Sequence, residues 1–156
     1  MNAEAPHAQF RLDTSLTGLE LLERWIEQGL VAGLNGRLRT RPIMASPGHV
    51  RFACEIDEGH GNFVGLVHGG VAAALVDIAG GAAALSLLKA GESLLTADLA
   101  MRFLNPAPLG RGDLVADGRV SYQDGRRILA DVQVTLGDIA MAQGSVNIAL
   151  RRPQAA

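Results

Sequence analysis

The stretch from Asn62 to Asp77, NFVGLVHGGVAAALVD, gathers residue types that could do chemistry on a carbonyl group. His68 is followed by Gly69 and Gly70 at the head of an apolar run. That run reads as a helix, and the first backbone N–H groups of a helix have no partner inside it. Unpaired N–H groups and the positive end of the helix dipole can hold a developing oxyanion. Glycine there lets a carbonyl come close to the backbone, and the Asn62 amide offers a further donor. Asp77 is the one carboxylate within the apolar run, where an acid is costly unless it is paired, protonated or held against water. It is the candidate nucleophile or general base. His68 reads as a hydrogen-bonding anchor of the loop rather than a base.

Spacing constrains how these groups meet. Asp77 lies eight residues after Gly69, which is about 12 Å along a helix axis. No aspartate side chain spans that distance. If both groups act on one carbonyl they come from different chains, which predicts an obligate homodimer with antiparallel helices and two composite sites.

The elements that must position them follow in order. Residues 1–15 are polar and aperiodic, a loose tail. Thr17 to Glu20 fits a capping box, and Leu19, Leu22, Ile26 and Leu30 recur at helical spacing, predicting an amphipathic helix over about 17–34 that ends near Gly33 or Asn35–Gly36. Leu38 to Ala45 reads as a strand that Pro42 confines to an edge or a bulge. Ser46-Pro-Gly48 is a turn, and His49 to Asp57 alternates with Val50, Phe52, Cys54 and Ile56 on one face. Residues 58–67 form a loop into the central helix, which reads as apolar all round and therefore wrapped by other elements. Leu94 to Leu104 alternates with Leu95, Ala97, Leu99, Met101 and Phe103 on one side. Three further strands follow as part of a four-stranded meander, with two-residue turns expected at Asp124–Gly125 and Gly137–Asp138. Residues 151–156 lie outside the fold. The sum is an α+β domain over 16–150, an antiparallel sheet of five to six strands round one long buried helix.

Bulk properties exclude several classes. A net charge of −2 leaves no basic footprint for nucleic acid. Cys54 is the only cysteine, and His7, His49, His60 and His68 show no HxxH or HExxH spacing, so no metal is expected. Cys54 is expected to pack in the core. The N-terminus lacks the basic and apolar regions of a signal peptide. Val71–Leu88 is interrupted by Asp77 and Ser86 and is half Ala and Gly, so it reads as buried in protein rather than membrane-spanning. A cytoplasmic location is the default expectation.

The element order, with Asn62, the string His68-Gly69-Gly70 through Asp77, the Thr96-Ala-Asp98 strand, the Phe103-Leu-Asn-Pro106 exit and the Gly125-Arg126-Arg127 hairpin, resembles the hotdog-fold acyl-CoA thioesterases of the phenylacetate-degradation (PaaI-like) type. The resemblance covers roughly residues 37–150. It implies hydrolysis of an acyl-CoA thioester to an acid and free CoA. It places the carbonyl against the Gly69 N–H and Asn62, makes Asp77 the nucleophile or general base, and puts Thr96 where a hydroxyl helps hold the acid or the water. It also implies a homodimer, with a tetramer built as a dimer of dimers the alternative. No cofactor is implied, since CoA is part of the substrate. Phosphates need cations, and Arg126 and Arg127 are the first candidates, with Arg102 and Arg119 behind them. Leu75, Ile78 and Met101 are expected to line the acyl pocket. Gly80–Gly81 is expected to allow the close approach of another helix or a strand rather than to do chemistry. The rival reading is a non-catalytic acyl-CoA-binding module, which has no need of a buried acid. A hydratase acting on enoyl-CoA is a third, for which His68 is not placed.

Overall fold

The structure is a computed structural model that describes residues 13–29 and 32–151. Helix α1 (Gly18–Gln28) starts at the expected capping box, with Thr17 Oγ1 accepting from the Glu20 N–H and Glu20 reaching back to the Thr17 N–H. It ends earlier than the periodicity suggested. Gly29 adopts a left-handed conformation (φ 62°) and its N–H caps Trp25 O, so the helix stops there. A separate short helix, α2 (Gly33–Arg37), follows. Gly18 seats α1 on the central helix, because a Cβ at that position would lie 1.7 Å from Leu85 O.

Strands β1 (Thr40–Ser46) and β2 (His49–Cys54) form the expected hairpin, with β1 at the sheet edge and a register shift after Pro42. Proline lacks the N–H that an interior ladder would require. Burial pushes the Cys54 thiol up to about 11, and its S–H donates to Leu38 O, so it is an inert core group.

The central helix α3 (Gly69–Leu85) is followed by β3 (Ser93–Phe103), β4 (Leu114–Gln123), β5 (Arg127–Leu136) and β6 (Ile139–Arg151). The six-stranded sheet runs β1-β2-β4-β5-β6-β3, every neighbouring pair antiparallel. The four-stranded meander is therefore only three strands, β4 to β6. β3 pairs with β6 at the far edge, and the 104–113 segment carries the chain back across to β4. Leu136–Ile139 is joined by two residues as expected, with Gly137 at φ 54°. The other hairpin also turns through two residues, but one position later than expected. Gln123 pairs with Ile128 and the Asp124 N–H donates to Arg127 O, so Gly125–Arg126 make the turn, with Asp124 Oδ1 accepting from the Arg126 and Arg127 N–H groups.

Helix and sheet meet almost backbone to backbone. A Cβ on Gly80 would lie 2.5 Å from Val146 Cγ2, and one on Gly118 would lie 2.4 Å from Ala79 O. An Ala- and Gly-rich helix buries little area per side chain, so this close approach is what supplies its dispersion contacts. Gly81 meets nothing within 4 Å, so of the glycine pair only Gly80 serves the packing. The helix is also not wrapped all round. Val71, Ala72, Leu75, Val76, Ala79 and Ala83 are buried against the sheet, while Gly70, Ala73, Ala74, Asp77, Ile78 and Gly81 form a partly open stripe. One six-stranded sheet curls over only part of a cylinder, and the side chains that point away from it stay uncovered.

The edge strand β3 is exposed along most of its length and carries a bulge at Ala97, between the Thr96↔Ile148 and Asp98↔Asn147 pairs. The bulge changes which side chains face the helix. Leu94 and Thr96 face it before Ala97, and Leu99, Met101 and Phe103 face it afterwards, opposite the buried or tightly packed Val146, Gly144 and Ala142. The expected single row from Leu95 to Phe103 is thus broken, because an inserted residue shifts the period-two alternation by one.

Candidate active site

The loop that delivers Asn62 and Gly69 is held from below by a buried histidine. Asp57 caps a 3-10 turn, Glu58–His60, and the His60 ring is 4% exposed. Its Nδ1 lies 2.8 Å from Asp57 Oδ1, its Nε2–H donates to Leu38 O at 3.0 Å, and its carbonyl accepts the His68 N–H at 2.8 Å. The Arg39 guanidinium, and then the His60 ring, hold the Asp57 carboxyl below the usual carboxylate range. His60 therefore ties both arms of the loop to the β1–β2 side of the fold. Replacing His60 with Ala leaves Leu38 O and Asp57 without that partner and is expected to cost about 1–3 kcal/mol of stability, read as a lowered urea midpoint.

Asn62 is oriented by its own backbone. Its Oδ1 accepts from the Val64 N–H (3.0 Å) and the Leu66 N–H (3.1 Å). Two N–H donors on one amide atom settle which end is oxygen, so Nδ2 is the end left over as a donor. Gly65 (φ 78°) makes this tight return possible, with its N–H bonded to Asn62 O.

At the helix start the N–H groups are divided among different partners. His68 is the N-cap, its Nδ1 accepting from the Gly70 N–H at 2.8 Å and its carbonyl from the Val71 N–H at 2.9 Å. That is the anchoring role, and it leaves Nδ1 engaged as an acceptor. The Gly69 N–H has no partner among the described residues. Gly69 and Asn62 line the same cleft, of about 330 Å³, together with Leu66, Val67, Phe103, Leu104, Asn105, Pro106 and Met141. The segment after β3 closes one side, with Ala107 O accepting the Val67 N–H.

Asp77 and Thr96 are brought together, but not there. Thr96 Oγ1 donates to Asp77 Oδ1 at 2.7 Å, and neither residue lines the cleft. Asp77 sits half-buried on the open stripe of α3, and Arg102 turns to the opposite face of the sheet, opposite Gln143. Leu75, expected in the acyl pocket, is wholly buried in the core, Met101 packs against that core, and Ile78 lies on the open stripe. Helical spacing identifies apolar residues but does not say which of them meet solvent. The residues that do wall the cleft, Phe103, Leu104 and Met141, come from strand ends distant in sequence. The Phe103-Leu-Asn-Pro106 string marked the place without revealing that role, and nothing local marks Met141.

Arg126 and Arg127 sit exposed at the β4–β5 link, away from the cleft. Arg119 and Arg102 line a larger hollow of about 1030 Å³ on the outer sheet face, where Arg51 and Arg119 each bond Asp117 through Nε. That hollow contains none of Asn62, Gly69 or Asp77. Among the described residues no group of three or more His, Cys, Asp or Glu could hold a metal ion, and no helix is long and apolar enough to cross a membrane.

The sequence profile of the thioesterase superfamily matches residues 64–142, just over half the chain. The chain belongs to the thioesterase superfamily. Its relatives agree in fold and in sequence. An esterase candidate of Halobacterium salinarum is 39% identical over 105 residues, 64% of this chain and 68% of that one. Human acyl-coenzyme A thioesterase 13 is 31% identical over 93 residues, 60% of this chain and 65% of that protein, so the match spans just under two thirds of it. A phenylacetic acid degradation-related protein of Ralstonia eutropha superposes with a TM-score of 0.74 at 19% identity, over 82% of this chain and 98% of that one. This is a hotdog-fold thioesterase, a thioester hydrolase. Within a single chain of this thioesterase, the donors, Gly69 N–H at the helix start and Asn62 Nδ2 on the loop before it, lie apart from the acid further along the helix.

Proposed function

We propose that this thioesterase hydrolyses acyl-CoA thioesters in composite sites shared by two copies of the chain. The observation that carries the reading is the pair of unpaired donors, Gly69 N–H and Asn62 Nδ2, in one apolar cleft. Donors aimed at a carbonyl oxygen are what acyl transfer needs, and apolar walls suit a hydrocarbon chain. In this reading the thioester oxygen accepts from both donors. The partner subunit's Asp77, steadied by the Thr96 hydroxyl of its own chain, attacks the carbonyl carbon or takes a proton from the attacking water. The C–S bond breaks, the thiolate leaves and is protonated, and one water is consumed for each acid and thiol released.

Pairing of two copies is supported by what one copy leaves uncovered. The β3 edge has a free hydrogen-bonding side and exposed Leu95 and Leu99, the open stripe of α3 includes Asp77, and Phe63 on the site loop is fully exposed. An apolar edge strand of this length is a pairing surface, and a two-fold axis would set each helix start near the other chain's acid. Arg126 and Arg127 are retained as ligands for the CoA phosphates, being exposed cations on a hairpin.

Thiol release from straight-chain, hydroxylated and aromatic acyl-CoAs tests the activity. Turnover of at least one is the expected result. Tight acyl-CoA binding with no thiol released from any of them would replace this reading with the binding-module one.

A further inference from the structure

We infer that Phe103 selects the acyl group, by walling the space next to the Gly69 N–H against branching at the carbon beside the carbonyl; this rests on the thioesterase reading above. A Cβ built on Gly69 would lie 3.0 Å from Phe103 Cζ and 3.1 Å from Cε1, so the ring lies directly over the Gly69 Cα. A carbonyl oxygen accepting that N–H sits about 2.9 Å from the nitrogen. Its neighbouring carbon then comes within van der Waals reach of the ring. Around it Leu66, Val67, Leu104, Pro106 and Met141 are apolar, and Asn105, the one further polar residue there, spends its Nδ2 on Ala140 O. They suit the hydrocarbon arm of a thioester better than the amide-bearing thiol arm, whose polar groups would lose hydrogen bonds there.

The bulge at Ala97 makes this placement possible. With uninterrupted alternation from Thr96, which bonds Asp77, Phe103 would face the outer side of the sheet. One inserted residue points the threonine at the acid and the phenylalanine at the helix start from the same strand. Phe103 is 61% exposed in the single chain, so trimming it removes little core.

The test compares kcat/KM for a straight-chain acyl-CoA and its isomer branched beside the carbonyl (butyryl- and isobutyryl-CoA). In Phe103→Ala the branched-to-straight ratio is expected to rise at least tenfold, the range that about one methylene's worth of pocket space can give, with Phe103→Leu in between. Gly69→Ala pushes a methyl into the ring and is expected to lower turnover at least tenfold, and adding Phe103→Ala should restore most of it. A ratio unchanged within twofold, or a double variant no better than Gly69→Ala alone, overturns the inference. So does a Phe103→Ala change that tracks the thiol arm instead, seen as altered discrimination between CoA esters and esters of simple alkanethiols that lack its amides. Absence of thiol release from the wild type would instead remove the thioesterase reading itself.

Discussion

Asp77→Asn is expected to lower kcat by at least two orders of magnitude and to leave the fold intact. The amide is isosteric, and its oxygen can still accept the Thr96 hydroxyl that Asp77 Oδ1 now accepts at 2.7 Å. Packing on the open stripe of α3 is unchanged, so lost turnover reports lost chemistry. Removal of a general base or nucleophile is typically worth about 10²–10⁴ in rate. The composite arrangement adds a sharper consequence. Asp77→Asn is deficient in the acid and Asn62→Asp in the donor, so neither homodimer has an intact site. Mixed dimers of the two have one complete site each, and thiol release is expected to reappear after the inactive proteins are unfolded and refolded together. Two inactive proteins that stay inactive together, despite forming mixed dimers, would mean that acid and donors act within one chain. Near-normal turnover by Asp77→Ala would remove the acid from the mechanism.

Asn62→Asp is expected to cost about 10²–10³ in kcat, the usual loss for one oxyanion donor. The choice of Asp over Ala follows from the loop. Asn62 Oδ1 accepts the Val64 and Leu66 N–H groups, and a carboxylate oxygen keeps both bonds while the other oxygen replaces the donor. A negative charge then faces the oxygen on which negative charge develops. Circular dichroism and the melting temperature should stay near wild type, in contrast to His60→Ala, which acts on stability. Turnover within a few-fold of wild type would leave the Gly69 N–H as the sole donor.

Much of the fold was legible because it is written in local rules. Thr17 and Glu20 announce a helix start by reciprocal hydrogen bonds that need no tertiary partner. Pro42 states that β1 is an edge, and Gly137 states a tight turn. Other local signals were outvoted or overlooked. Gly29 ended α1 ahead of the apolar period, and the Asp124 side chain, by accepting from the Arg126 and Arg127 N–H groups, moved a two-residue turn one position along the chain. Strand order was not legible, since the alternation of β3 is the same whether it pairs with β4 or with β6.

By itself the sequence determined which groups are the candidates for the reaction proposed above, namely an asparagine, a glycine-led helix start and an acid too far along the same helix to meet them. Helical rise is a local constant, so that separation holds whatever surrounds the helix. Only the tertiary structure decided which donors are unpaired, that His68 spends its Nδ1 on Gly70, and which side chains wall the cleft. Those outcomes depend on contacts between β3, β6 and the helix start, set by a one-residue bulge at Ala97 whose phase no local pattern reveals.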